Sequence, residues 1–115
     1  MKTSKHTLQL PSQSDVDIRL LIHLGQYRQP TEPRKLYGPL ADDFKLTQEQ
    51  RHIPRPGRNK SEPAWNNLVQ FARRRLVDQG LIDNSRKGFW SLTAEGRKRA
   101  DLLATASAFD LSELL

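Results

Sequence analysis

The chain has 115 residues, of which 36% are hydrophobic and 28% charged, and these proportions fit one small globular domain with a thin core. It contains no cysteine, which excludes a disulfide framework, a thiolate nucleophile and a cysteine-based zinc site. No apolar run approaches the roughly 18 residues of a membrane span, and the polar N-terminus does not resemble a signal peptide. We therefore expect a cytoplasmic protein without a metal or cofactor.

The distribution of charge indicates what the chain binds. The formal net charge of +6 arises in the second half, since residues 1–50 carry a net +1, residues 51–100 a net +8 and residues 101–115 a net −3. A basic surplus that is clustered in this way is typical of small domains that bind a polyanion such as nucleic acid. A surplus that served only solubility would be spread more evenly.

The first predicted helix follows a loose polar arm over residues 1–13. Ser14 has the character of an N-cap, and Asp15 places negative charge in the first turn of a helix that runs to about Gln26. Apolar residues occupy most of the circumference of this helix. Such a pattern predicts a helix buried at the centre of the domain.

Two further helices are predicted before the middle of the chain. Apolar residues recur at helical spacing over residues 36–44, and we expect Gly38 to cap a helix that has Pro39 at its first position. Thr47 and Gln50 have the spacing of a capping box, which predicts a short helix immediately after them.

The fourth predicted helix is longer than the helices before it. It follows a basic loop over residues 52–60 that contains two prolines and a glycine and therefore lacks regular structure. Ser61, Glu62 and Pro63 are typical of a helix start, the helix runs to about Gln79, and Gly80 supplies a left-handed C-cap.

The remaining elements are a β-hairpin and a final helix. Residues 81–82 and 89–92 are short β-prone runs joined by a polar, glycine-containing loop. Thr93 is the predicted cap of the last helix, whose apolar face includes Ala100, Leu103 and Ala104. We place the domain at residues 14–108 and assign residues 109–115 to a tail or the start of a linker.

This order of elements predicts a winged helix-turn-helix, a mostly α fold with a small β-hairpin wing. In such a domain the long helix enters the DNA major groove and the hairpin lies over phosphates or the minor groove. One face of the long helix is apolar and is predicted to face the core: Trp65, Leu68, Val69, Ala72 and Leu76.

The opposite face of the long helix carries the side chains expected of a DNA-reading surface. Amides pair with adenine and guanidinium groups with guanine at the edges of the bases. These predicted DNA-binding residues are Asn66, Asn67, Gln70, Arg73 and Arg74.

Phosphate contacts are predicted on both sides of that face. Arg55, Arg58 and Lys60 precede the N-terminus of the long helix, an end that itself favours anions. Arg86 and Lys87 lie at the tip of the hairpin. We therefore add these five residues to the predicted DNA-binding set.

Other prominent side chains on these elements are expected to serve packing. We expect Phe71 to be buried against the hairpin, and Trp65 and Trp90 to lie in the core. Arg75, at the edge of the apolar stripe, is expected to pack or to form an ion pair with Asp78. The three histidines are scattered, and we assign them no metal or catalytic role.

A series of short motifs occurs in a characteristic order over residues 46–103. The motifs are Leu46-Thr47-Gln48-Glu49, Asn67, Phe71-Ala72-Arg73, Leu76, Gly80-Leu81-Ile82, Arg86-Lys87-Gly88, and an aromatic strand that leads into Thr93-Ala94-Glu95-Gly96. In order and spacing they resemble the N-terminal domain of Mrr-type restriction proteins, which is a winged helix. The family often has Trp where this chain has Phe71.

The resemblance implies a DNA-targeting domain, with double-stranded DNA as its partner and the nuclease as a separate domain or subunit. A nuclease of the PD-(D/E)xK class needs strand-borne acids and a lysine around a metal, whereas Asp42, Asp43 and Lys45 lie on a predicted helix with the wrong spacing. We therefore expect a targeting module of a prokaryotic restriction system without catalytic residues. The resemblance alone adds modified DNA as a target.

Two other functions stay open on the sequence. A small winged-helix transcription regulator would need a homodimer interface, which the last helix and the leucine-rich tail offer. A winged helix that binds only proteins would keep its function after neutralisation of Arg74, Arg86 and Lys87. Catalysis is the least favoured interpretation, because the sequence shows no nucleophile, acid–base pair or metal-ligand set.

Overall fold

A computed structural model describes residues 9–57 and 62–114, with side chains as far as residue 106. The predicted positions Arg58, Lys60 and Ser61 therefore lie outside the described residues. The helices are α1 (Gln13–Leu24), α2 (Tyr37–Asp43), α3 (Gln48–Arg51), α4 (Ala64–Asp78) and α5 (Ala94–Leu114), and the strands are β1 (Ile82–Asp83) and β2 (Ser91–Leu92). A 3₁₀ turn at Pro33–Lys35 precedes α2.

The predicted hairpin is present, and the fold is a mostly helical winged helix. β1 and β2 pair antiparallel, with Ile82 opposite Leu92. Thr31 adds a bridge to the hairpin, because its N–H donates to the carbonyl of Trp90 at 2.9 Å and its carbonyl accepts from the N–H of Trp90 at 2.8 Å. The sequence did not predict this bridge, which ties the chain between α1 and α2 to the wing directly before β2.

The core lies between α1, α4 and α5, as the apolar circumference of α1 predicted. Leu20 of α1 and Val69 of α4 are fully buried, and complete burial of a side chain of this size contributes about 1.5–3 kcal/mol. Trp65 is buried as expected, and its indole N–H donates to the carbonyl of Tyr37 at 2.9 Å. The predicted apolar stripe of α4 is therefore confirmed as the side that faces the core.

The start of α1 differs from the prediction. Ser12, not Ser14, is the N-cap, and its hydroxyl accepts a hydrogen bond from the N–H of Asp15 at 3.2 Å. Both residues are serines with an acid close behind, so local capping preference does not distinguish them. The earlier start brings Gln13 into the helix, where its amide donates to the carbonyl of Leu68 at 3.0 Å.

Helix α2 also begins earlier than predicted. Tyr37 is its first residue, so Gly38 is not the cap and Pro39 is the third helical residue. Proline is tolerated there because the first N–H groups of a helix have no partner within it. The capping box of α3 is confirmed, with the N–H of Gln50 donating to the Thr47 hydroxyl at 3.1 Å and the Gln50 amide accepting from the N–H of Thr47.

The last helix begins where the sequence predicted. The Thr93 hydroxyl accepts from the N–H of Gly96 at 3.0 Å, and the backbone stays helical to Leu114, across the predicted domain end at residue 108. Ala100 is buried and Leu103 packs on the core, whereas Ala104 is exposed. Within the described part of the chain, no helix combines the length and apolar character needed to cross a membrane.

Candidate nucleic-acid interface

The exposed side of α4 forms one wall of an open groove of about 550 Å³. Predicted DNA-binding residues from α4 and from the loop before it line this groove together: Arg55, Asn67, Gln70, Arg73 and Arg74. Their convergence follows from the helical period, because residues three and four apart lie on one side of a helix. Asn84, the first residue after β1, also lines the groove.

Arg73 connects α4 to the wing. Its terminal nitrogen Nη2 donates to Oδ1 of Asn84, and its guanidinium lies 5.9 Å from the centre of the Trp90 ring. The Nε atom is buried and has no hydrogen-bond partner among the described residues. Arg73 therefore has a structural role in positioning the wing beside α4, which the sequence did not predict.

Gln70 and Arg74 differ in how firmly they are held. The Gln70 amide nitrogen donates to the Tyr37 hydroxyl at 2.5 Å, so α2 fixes the orientation of this amide in the groove. Arg74 is exposed. The groove thus combines the amide of Gln70, which is held in one orientation, with the exposed guanidinium of Arg74.

The two ends of the loop before α4 are held together by hydrogen bonds. Pro54 and Pro63 form a bridge, with the N–H of Arg55 donating to the carbonyl of Glu62 at 2.9 Å. The side chain of Arg55 also donates to the Glu62 carboxylate at 2.9 Å. This closure places Arg55 beside the N-terminal end of α4, as predicted.

The tip of the wing is a basic turn. Arg86 and Lys87 are both exposed. Gly88, with φ of +83°, adopts the left-handed conformation that the turn requires. The Ser85 N–H donates to the Asp83 carboxylate at 2.9 Å, and this hydrogen bond lowers the pKa of Asp83 below its ordinary value.

Asn66 lies apart from the other predicted residues. It lines a shallow depression with Gly38, Gln48 and His52, on the side of α4 that faces α2 and α3. The structure therefore does not bring Asn66 into the groove that holds Asn67 and Arg74.

Two of the packing predictions are wrong. Arg75 does not pair with Asp78 but with Asp17 of α1, whose carboxylate Oδ2 lies 2.5 Å from Nε of Arg75. Phe71 is not buried against the hairpin but is 45% exposed and lines the groove. The side of α4 next to the hairpin is occupied by Arg73, which lies over Trp90 instead. The burial of Trp90 itself is confirmed.

Asp78 is the acidic residue that lines the groove, at the C-terminal end of α4. It limits the basic surface along the helix, since a phosphate placed beside it would be repelled.

Histidine contributes one buried contact that the sequence did not indicate. His23 has Nδ1 3.3 Å from a carboxylate oxygen of Asp43 and Nε2 3.3 Å from the Tyr27 hydroxyl. Over residues 9–57 and 62–106, no group of three or more histidine and acidic side chains is placed to hold a metal ion.

Comparison with known proteins identifies the family of the chain. No curated protein and no solved structure shows a significant match. The family model described as the Mrr N-terminal domain matches residues 18–101, which include the groove, the wing and most of the core. The chain therefore belongs to the Mrr N-terminal domain family.

Proposed function

We propose that this domain binds double-stranded DNA through α4 and the wing, and that it serves as a targeting module of an Mrr-type restriction system. The observation that carries the proposal is the groove along α4, where Asn67, Gln70 and Arg74 converge. Amide and guanidinium groups on one helix face are the groups that read base edges in the major groove. The family supports the association with restriction systems.

The flanks of α4 carry the charges that a DNA backbone needs. Arg55, whose guanidinium also pairs with the Glu62 carboxylate, lies at the N-terminal end of the helix, and Arg86 and Lys87 lie at the tip of the wing. A helix in the major groove has a phosphate backbone on each side, so cations on both flanks fix its register. Asp78 at the far end directs the N-terminal part of α4 toward the bases, as in other helix-turn-helix domains.

The same surface supports targeting without cleavage. Its side chains are mostly amides and guanidinium groups, with one exposed aromatic ring and the Asp78 carboxylate at the C-terminal end of α4, and the amides and guanidinium groups suit binding. We propose that cleavage belongs to a separate nuclease domain or subunit. The proposal extends to modified DNA on the support of the family alone.

The experiment is binding of labelled duplexes (unmodified, methylated and hydroxymethylated) at several salt concentrations. We expect binding that weakens steeply with salt, by about 0.9 in the logarithmic slope for each phosphate contacted. Tighter binding to one modified duplex would support recognition of a modification, whereas equal binding to all would restrict the proposal to DNA binding that does not depend on these modifications.

Arg99→Ala supplies the control for charge removal. Arg99 is exposed on α5 and lines a different groove with Ile18 and Leu103. Its loss should leave DNA affinity almost unchanged, whereas Arg74→Ala should reduce it. Absence of binding at low salt would contradict the proposal and favour a protein-binding winged helix.

A further inference from the structure

Phe71 is an exposed aromatic ring in the middle of the polar face of α4. The side chain is 45% exposed and lines the groove between Asn67, one turn earlier, and Arg74, almost one turn later. Single exposed apolar side chains are common on protein surfaces. This one is distinguished by its neighbours, because it lies among the groups that we propose read base edges.

The major groove contains an apolar group that a phenyl ring can contact. Thymine presents a methyl group at C5 beside the hydrogen-bonding atoms of its edge, and phenylalanine is one of the side chains that contact it. Cytosine methylated at C5 presents the same methyl group in the same place. Phosphates and the hydrogen-bonding atoms of the base edges are polar and provide no comparable partner for the ring.

We infer that Phe71 contacts the C5-methyl group of a pyrimidine and makes that methyl group part of the recognised site. This inference rests on the proposed DNA-binding function. This role determines specificity and is separate from the hydrogen bonds of Asn67 and Arg74.

Helix geometry places the methyl group within the site. A rise of about 1.5 Å per residue separates Asn67 from Arg74 by about 10 Å along the axis of α4. Phe71 lies between them along that axis. The methylated pyrimidine is therefore an interior position of the site, flanked by a base read by the amides and a base read by Arg74.

The test uses duplexes that the full chain itself enriches from randomised libraries. One library contains thymine and cytosine, and the other contains uracil and 5-methylcytosine, so that methyl groups on the two pyrimidines are selected separately. Each enriched pool is then recopied with uracil and cytosine. This step removes every C5-methyl group and keeps the hydrogen-bonding edges. The readout is the ratio of dissociation constants between each pool and its methyl-free copy.

We expect at least one pool to bind about fourfold more tightly than its methyl-free copy, because the buried methyl group contributes about as much as one CH₂ group. The pool that shows this ratio identifies the base as thymine or 5-methylcytosine. Phe71→Ala should reduce the ratio to one. Phe89→Ala should preserve it, because Phe89 is 39% exposed but lines a different groove with Tyr27 and Thr31.

Three results would overturn the inference. Ratios of one for both pools, with salt-sensitive binding intact, would reject the role of Phe71 and leave the proposed function in place. A ratio that persists in a Phe71→Ala protein with unchanged thermal unfolding would also reject it. Absence of binding to either library at low salt would reject both proposals and indicate a protein partner for the exposed ring.

Discussion

The guanidinium of Arg73 donates a hydrogen bond to the side-chain oxygen of Asn84, which joins the middle of α4 to the first residue of the wing loop. The two residues are eleven positions apart in sequence and lie on different elements. Because Arg73 also lies over the Trp90 ring, it contacts residues at both ends of the wing loop. The angle between helix and wing, and hence the width of the groove, depends on this contact.

Removal of the wing contact should weaken DNA binding without a change in sequence preference. Asn84→Ala removes the acceptor and no charge, so we expect a loss of roughly 1 kcal/mol in the free energy of unfolding and weaker binding to all duplexes alike. Chemical denaturation and duplex titration measure the two effects. Arg86→Ala, at the exposed tip, should leave stability unchanged, and an Asn84→Ala protein of parental stability would contradict the structural role.

Arg74 and the wing tip should differ in the kind of binding that they provide. Arg74→Ala should cost on the order of 1–3 kcal/mol in binding and relax sequence preference, because a guanidinium that reads guanine discriminates among bases. Arg86→Ala or Lys87→Ala should weaken binding to all sequences and reduce the salt slope by about one. Parental affinity in both classes of variant, measured over several salt concentrations, would show that α4 and the wing do not contact DNA.

Neutralisation of Asp78 should strengthen binding. Asp78→Asn removes the carboxylate from the groove, and we expect about 0.5–1 kcal/mol of tighter binding to all duplexes, with less effect at high salt. Asp101→Asn on α5 is the matched control, since Asp101 is exposed but lies outside the groove. If both variants gain affinity equally, overall charge and not the position of Asp78 determines the effect.

The ion pair between α1 and α4 should contribute measurably to stability. Asp17 is 7% exposed and also accepts a hydrogen bond from the Gln13 amide at 3.0 Å. Arg75→Ala leaves this carboxylate buried without its cation, and we expect a loss of about 1–2 kcal/mol in the free energy of unfolding. Lys98→Ala breaks an exposed pair with Glu95 and should cost close to nothing. Equal and small losses of unfolding free energy in Arg75→Ala and Lys98→Ala would contradict the greater contribution of the buried pair.

Gly96 should tolerate no side chain. A Cβ at this position would lie 2.0 Å from the carbonyl oxygen of Leu81, so Gly96→Ala must push α5 from the base of the wing, and we expect a loss of about 3 kcal/mol. At Gly38 an added Cβ meets no atom within 4 Å apart from its own chain neighbours and the nearby backbone of the helix. Gly38→Ala should therefore cost much less than Gly96→Ala, since only the strain of a Cβ directly before Pro39 opposes it. Thermal unfolding compares the two, and a Gly96→Ala protein as stable as the parent would refute the close approach.

The helices and the wing could be predicted because their signals are local. The Thr47–Gln50 capping box, the left-handed Gly80 and the apolar stripe of α4 all depend on residues within a few positions of one another. The Thr31 bridge to Trp90 was missed because a single paired residue leaves no alternation in the sequence.

The candidate site was predictable in its residue types more than in its contacts. The helical period correctly grouped Asn67, Gln70 and Arg74 on one side of α4. The partner of Arg75 lies 58 positions away on α1, and no local pattern reveals it. The exposure of Phe71 was missed because a helical projection of α4 places Phe71 beside the apolar stripe. In the structure Arg73, and not Phe71, fills the space against Trp90.

The central claim is that α4 and the wing contact DNA, and backbone amide NMR of the full chain during titration with a short duplex tests it most directly. We predict chemical-shift changes concentrated on residues 64–74 of α4 and on residues 83–88 of the wing, with little change along α5. Changes confined to α5, or no changes at low salt, would contradict the account.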